Sequence, residues 1–210
     1  PDGIKPAALN TSDRNKDDSC NESISIEPAI WSRREVLCTL PFWIILFAHS
    51  CLFFVGAGIN FHLFPFFTDS GLTPGFSVLI ISVISIFGAV GGLLLGLLGE
   101  RFSVKKLLCI LYAAQGLIFL SVFVVIDSVV LTSLFAVVFG ILRGGTLPLL
   151  ALIWVEYYGR NSSGTVIGLG GPFRMTANAL GPISAALAFD LLGSYHLPFS
   201  LFSLIFIAAG

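Results

Sequence analysis

Long apolar stretches, separated by short polar ones, fill the chain from residue 41 to its end. A membrane-spanning helix needs about 20 mostly apolar residues, and the sequence offers six candidate stretches. They are residues 41–63, 75–98, 107–126, 130–155, 164–189 and 196–210. Their internal Gly and Pro residues suit membrane helices, because neighbouring helices re-satisfy the backbone. The pattern therefore predicts an all-α polytopic membrane protein, a six-helix transmembrane bundle whose last helix is truncated.

Residues 1–40 have a different, polar character. They carry 12 of the charged residues, and residues 1–28 have few large apolar side chains, as expected of a loop. Residues 29–40 place apolar side chains opposite Arg33, Arg34 and Glu35, which predicts either a short amphipathic helix on the membrane surface or a solvated linker. The chain starts at Pro1 and ends inside an apolar stretch, so we expect it to be a fragment of a longer protein.

The overall composition excludes several classes of protein. Hydrophobic residues make up 56% and charged residues 11%, with a mean hydropathy of +0.95, whereas soluble domains carry about 25% charged residues. The net charge of −1 argues against a nucleic-acid-binding protein, which needs a basic patch. The four cysteines are far apart, and motifs such as GxSxG, HExxH and the P-loop are absent. We therefore expect no enzyme activity, catalytic residue, cofactor or metal site.

The basic residues predict the orientation in the membrane. Nine lie on one side of the predicted topology: Lys5, Arg14, Lys16, Arg33, Arg34, Arg101, Lys105, Lys106 and Arg160. The opposite side carries Asp69, Asp127 and Asp190 and neither Lys nor Arg. The positive-inside rule then places residues 1–40, 99–106 and 157–163 in the cytoplasm, and we expect a multi-pass protein of the plasma (inner) membrane.

Two further arginines, Arg143 and Arg174, lie near the middle of the fourth and fifth predicted spans. An arginine at a helix centre costs roughly 2.5–3.5 kcal/mol on insertion scales. No Asp or Glu lies at a matching depth, so the two charges need another counter-ion. A substrate carboxylate suits the guanidinium fork. The alternative is an ion pair with an acid outside this sequence.

Small and polar residues share a face with these arginines. In the fifth span the stripe consists of Gly170, Gly171, Arg174, Asn178 and Gly181, and in the fourth span of Gly140, Arg143, Gly144 and Pro148. Both stripes predict cavity walls.

The first predicted span has His49, Gly56 and Asn60 on about the same face. His49 suits either proton coupling or a hydrogen bond inside the bundle, and Asn60 and His62 also suit the outer rim. The predicted substrate-binding residues are Arg174, Arg143, Asn178, His49 and Asn60.

The second predicted span has a glycine at every fourth position, at Gly88, Gly92 and Gly96. Such a stripe lets another helix approach closely, either as static packing or as a surface along which helices slide.

The end of this span and the loop after it carry Gly96, Glu100, Arg101, Lys105 and Lys106 in the spacing G-x3-[DE]-R-x-G-x-[RK]-[RK], with Ser in place of the second Gly. This pattern resembles the cytoplasmic loop signature of the major facilitator superfamily. The resemblance implies the C-terminal six-helix half of a twelve-helix fold. It also implies a conformational-switch loop, in which Glu100 can pair with Arg101 and with a neighbouring helix N-terminus.

Other segments resemble the oxalate–formate antiporter and monocarboxylate transporter branch of that superfamily, among them His62-Leu-Phe-Pro65 and Glu156-Tyr-Tyr-Gly159-Arg160. In that branch, basic residues of the C-terminal half bind the substrate carboxylate. Arg174 matches the region of one of them. The branch's second basic residue has no equivalent between residues 69 and 100, and we expect Arg143 to replace it.

These observations predict a secondary active transporter that moves a small organic anion, such as a mono- or dicarboxylate, by proton symport or anion exchange through alternating access. Its partners would be the anion, a proton or counter-anion, the bilayer and the missing N-terminal six-helix half. The alternatives are a sensor or receptor with the same fold, and a transporter of neutral solutes.

Overall fold

The computed structural model describes residues 31–210, and every regular element in that range is a helix. The helices are α1 (Arg33–Leu37), α2 (Leu40–Asp69), α3 (Pro74–Gly99), α4 (Val104–Leu120), α5 (Val122–Val125), α6 (Val129–Tyr158), α7 (Arg160–Leu192) and α8 (His196–Ala209). The predicted loop of residues 1–28 lies outside the described residues.

Five helical segments are long and apolar enough to cross a membrane. They are α2, α3, α6, α7 and the stretch Val104–Val125 formed by α4 and α5, whereas α8 is apolar but shorter. The all-α, polytopic membrane fold predicted from the sequence is therefore confirmed. Some helices are longer than the predicted apolar stretches, because residues beyond the stretch continue the helix. The first predicted stretch ends at residue 63, whereas α2 continues through Pro65 and ends at Asp69.

Helices α3 and α6 touch through their backbones. A side chain at Gly144 would overlap the carbonyl oxygen of Gly88, and one at Gly91 would overlap the carbonyl oxygen of Ile141. A Cβ atom at Gly92 would lie 3.3 Å from the Gly144 carbonyl oxygen. The glycine stripe of α3 is thus a close-packing surface, and its partner is α6.

This contact corrects one expectation for α6. Gly140, Gly144 and Pro148 face α3, where they meet Ile84, Gly88 and Gly96, so these three residues are a packing surface and not a cavity wall. Successive residues of a helix are rotated by about 100°. Arg143 therefore points away from this surface and towards α2.

Helices α2 and α7 run side by side in the same direction. Gly170 packs against Leu46, and Gly181 packs against the backbone between Phe54 and Gly58. This register places His49, which lies between the two contacts, at about the level of Arg174.

The bundle has a basic end, where α2, α4 and α7 begin and α3 and α6 finish, and an acidic end with Asp69, Asp127 and Asp190. At the basic end the backbone N–H of Trp31 donates to Ser162 Oγ (2.9 Å). The Trp31 ring lies edge-on to Tyr158, whose hydroxyl is 2.6 Å from that of Thr39. The described part of the predicted amphipathic segment is therefore a short helix, α1, that follows a tryptophan packed on α6 and α7.

Candidate functional site

A cavity of about 170 Å³ lies between α2, α6, α7 and α8, near the middle of the bundle. Three polar side chains line it: Asn60 from α2, Arg143 from α6 and Asn178 from α7. The rest of the wall is Leu52, Phe53, Gly56, Ala57, Ile59, Phe139, Leu147 and Phe206. Three residues predicted to bind substrate, which are far apart in sequence, thus meet at one cavity.

Arg143 projects from the centre of α6 into this cavity. A Cβ atom at Gly56 would lie 4.0 Å from its Nη2 atom, so the glycine leaves room for the guanidinium beside α2. Within residues 31–210 every Asp and Glu lies in α1, in the last turn of a longer helix or between helices, and Arg143 makes no hydrogen bond or ion pair there. The cavity therefore contains a positive charge that no described acid neutralises.

Arg174, the other mid-span arginine, does not line this cavity. Its Nη2 donates to the carbonyl oxygen of Ile167, about two turns earlier in α7, at 2.9 Å. Its Nε is buried and has no acceptor among the described residues. An unsatisfied guanidinium N–H in a low-dielectric interior is costly, and a bound anion would satisfy it.

His49 is buried, with 6% of its surface exposed, and contacts the cavity only through a neighbour. Its Nδ1 accepts a hydrogen bond from Trp154 Nε1 of α6 at 3.2 Å. Its ring also packs against Phe53, with 5.2 Å between the ring centroids, and Phe53 lines the cavity. The charge of Arg174 on α7 lies within electrostatic range of the imidazole. His49 therefore forms a hydrogen bond inside the bundle, beside the cavity.

The two polar residues predicted for the outer rim take different places. Asn60 lines the cavity, whereas His62 lies at the acidic end with Nε2 at 3.1 Å from the Pro182 carbonyl oxygen. The Tyr195 hydroxyl is 3.4 Å from His62 Nδ1. Burial raises the pKa of Tyr195, and the charges of nearby Asp69 and Asp190 raise it further. The hydroxyl thus stays protonated at neutral pH and joins α2 to the turn between α7 and α8.

The predicted switch loop lies at the basic end. Gly96 packs on Pro148, and the Lys105 ammonium lies 4.3 Å from the centroid of the Tyr157 ring, a cation–π contact between α4 and α6. Lys106 is exposed at the start of α4. Glu100 and Arg101 are exposed, and Glu100 has no ion pair within the described part of the chain. The expected pairing of Glu100 with Arg101 is absent from this conformation.

Sequence reasoning missed two buried polar contacts. Trp154, with 1% of its surface exposed, is the donor to His49. Gln115 of α4 donates to Thr146 Oγ1 of α6 at 2.6 Å, and its Oε1 has no partner among the described residues. A lone amide and a lone indole inside apolar stretches were the available signals. Their partners lie on other helices, so the sequence alone does not identify them.

The polar side chains of the cavity suit the binding of an anion. No group of three or more His, Cys, Asp or Glu residues in that range could hold a metal ion. The guanidinium of Arg143, with the amides of Asn60 and Asn178 in the same cavity, can bind an anion through charge-assisted hydrogen bonds. Arg174 has a free Nε–H outside this cavity.

Comparison with known proteins identifies the family. The sequence profile described as Major Facilitator Superfamily matches residues 5–182, which include the loop pattern and the mid-span arginines. No curated protein matches the chain significantly. The profile covers most of the 210 residues and agrees with the bundle of apolar helices. The chain therefore belongs to the Major Facilitator Superfamily, a family of membrane transporters.

Proposed function

We propose that the chain is the C-terminal six-helix half of a secondary active transporter for small organic anions, such as mono- or dicarboxylates. The observation that carries the proposal is Arg143, whose guanidinium enters a mid-bundle cavity without an acidic partner among the described residues. A carboxylate supplies the missing charge and accepts two parallel hydrogen bonds from the guanidinium fork.

The rest of the cavity supports a small, partly apolar substrate. Asn60 and Asn178 offer amide groups on α2 and α7, opposite the guanidinium on α6. The remaining lining residues are apolar or Gly, and a substrate's hydrocarbon part would pack against them. Arg174 adds a second positive charge with a free Nε–H. In the proposed transporter the missing N-terminal half forms the opposite wall, and the two halves rock around the cavity.

Two coupling modes fit this arrangement: symport with a proton and exchange against another anion. The loop at Gly96, Glu100, Arg101, Lys105 and Lys106 acts in the proposal on the balance between conformations. The contact of Lys105 with Tyr157 supports this role, because it links α4 to the end of the helix that carries Arg143.

Uptake into proteoliposomes by the full-length protein tests the proposed function. We expect saturable uptake of at least one of radiolabelled acetate, lactate, oxalate or succinate, competed by the unlabelled compound, and no uptake into protein-free liposomes. Uptake of labelled glucose without uptake of any carboxylate would favour the neutral-solute alternative. Saturable binding of a carboxylate without uptake would favour the sensor or receptor.

The proposed orientation places the basic end in the cytoplasm of cells that carry the protein in the plasma membrane. Single cysteines at Asp69 and Asp190 should react with an impermeant maleimide added outside intact cells, and cysteines at Ser103 and Asn161 should react only after permeabilisation. All four positions are exposed, so access to each depends on the side of the membrane. Labelling of Ser103→Cys in intact cells would reverse the orientation.

A further inference from the structure

We propose that His49 is the proton-binding residue of the transport cycle and that Trp154 holds it in the unprotonated state until an anion is bound. This inference rests on the proposed function and selects proton symport over anion exchange as the coupling mode.

The hydrogen bond between the two rings defines the protonation state of His49. An indole N–H can only donate, so His49 Nδ1, its acceptor, carries no proton. The imidazole is therefore neutral, with its proton on Nε2, and Nε2 has no hydrogen-bond partner among the described residues. A proton added to Nδ1 would face the Trp154 N–H, so the bond would break and the imidazole would turn away.

The charges around His49 oppose this protonation in the absence of substrate. Arg174 of α7 lies at the same level, and Arg143 of α6 lies beside Gly56, about 10 Å further along α2. From α4 comes the neutral hydroxyl of Tyr112, which donates to the carbonyl oxygen of Ala48.

The remaining elements add no negative charge at this level. On α2 itself the nearest ionisable group is the thiol of Cys51; α3 has no ionisable side chain, and α8 has only His196, at the acidic end. The charges of α1 lie at the basic end. Glu156 of α6 is exposed in the last turn of that helix, and Arg174 is the charge that acts on His49. A protonated His49 would therefore face a like charge, and like charges repel strongly at low dielectric.

Binding of a carboxylate removes this obstacle. The negative charge of the carboxylate offsets the charges of Arg143 and Arg174, so His49 Nδ1 can accept a proton. The hydrogen bond to Trp154 then breaks, and the carboxylate and the proton move together. A monocarboxylate and the proton cross as a pair with no net charge, and the proton leaves when the anion leaves. Phe53, which contacts the imidazole and lines the cavity, carries the ring movement to the substrate site.

His49→Gln in the full-length protein tests the role of the histidine. Gln cannot be protonated, so uptake of labelled acetate or lactate driven by an inward proton gradient should fall at least tenfold. Exchange of the same anion at equal pH on both sides should persist. His62→Gln is the matched control, because it removes a histidine of the same helix that lies at the acidic end, and both activities should remain.

Trp154→Phe tests the hydrogen bond that holds His49 unprotonated. It also tests the proposal independently if His49→Gln does not fold. It retains an aromatic ring but removes the donor that favours neutral His49. The pH of half-maximal gradient-driven uptake should rise by about one unit, because the variant loses the free energy of about one hydrogen bond that stabilises neutral His49. Trp43→Phe is the control, because Trp43 donates to the Leu37 carbonyl oxygen at the basic end, and its pH profile should not move.

The outcomes separate this inference from the proposed function. Undiminished gradient-driven uptake in His49→Gln, or an unshifted midpoint in Trp154→Phe, overturns the inference while carboxylate uptake still supports the function. Anion exchange in the wild type without any response to a proton gradient does the same. Failure of the wild type to transport any carboxylate overturns both.

Discussion

Arg143→Gln is expected to weaken carboxylate binding by about 10- to 150-fold, because a hydrogen bond to a charged group contributes about 1.5–3 kcal/mol. The guanidinium is the charged group of the cavity, and Gln keeps much of its length while losing the charge. The measurement is the concentration of unlabelled lactate or acetate that halves uptake in proteoliposomes. Membrane insertion should not suffer, since removal of a mid-span charge makes insertion easier.

Two further variants make this result specific. Arg143→Lys keeps the charge but loses the planar fork, so we expect an affinity between those of the wild type and of Arg143→Gln. Arg160→Gln removes an exposed arginine at the basic end and should leave affinity unchanged. Unchanged affinity in a well-folded Arg143→Gln protein would remove Arg143 from the site. Poor folding rescued by neutralising an acid outside this sequence would instead identify an ion pair.

The sequence identified both arginines and ranked Arg174 above Arg143. Arg174 shares its stripe with Gly171 and Asn178, which favoured it as the main anion-binding residue. The structure directs its Nη2 to a carbonyl oxygen of its own helix and gives the cavity position to Arg143. A side chain as long as arginine can reach along the helix as well as outwards, so its face on the helix does not fix the position of its charge.

Five of the six predicted apolar stretches correspond to helices long enough to cross a membrane. They could be predicted because bilayer thickness sets the length of an apolar stretch, whatever its neighbours. The cavity could not be predicted in this way. Asn60, Arg143 and Asn178 meet because α2, α6 and α7 are neighbours, and helix pairing is not encoded in the pattern of any one helix. The bond between His49 and Trp154 joins positions 105 residues apart for the same reason.

The glycine stripe of α3 predicts which face of the helix is closely packed, but not which residues make the closest contacts. Gly88, Gly92 and Gly96 gave the correct helix and approximately the correct face. However, Cβ atoms at Gly88 and Gly96 would make ordinary contacts of 3.6 Å. The closest approaches involve Gly91, one position off the stripe, and the glycines of α6, because the two helices cross at an angle that the period of α3 does not specify.

Gly91→Ala should therefore destabilise the protein, whereas Gly96→Ala should not. An added Cβ at Gly91 meets the backbone of Ile141, which can move only if α6 moves as a whole, and such overpacking costs about 1–3 kcal/mol. Gly96→Ala is the matched control on the same helix, with Pro148 at 3.6 Å. The thermal unfolding midpoint in detergent measures the difference, and it should fall only in Gly91→Ala.

The same variant should also reduce transport at temperatures where it remains folded. Arg143 follows Ile141 by two residues on α6, so a shift of α6 away from α3 moves the guanidinium relative to Asn60 and Asn178. We therefore expect carboxylate affinity to fall together with stability in Gly91→Ala and neither to change in Gly96→Ala. Equal unfolding midpoints for the two variants would show that α3 and α6 are further apart in the protein than their backbone contact here indicates. Lowered stability with unchanged affinity would instead show that the cavity forms independently of this packing.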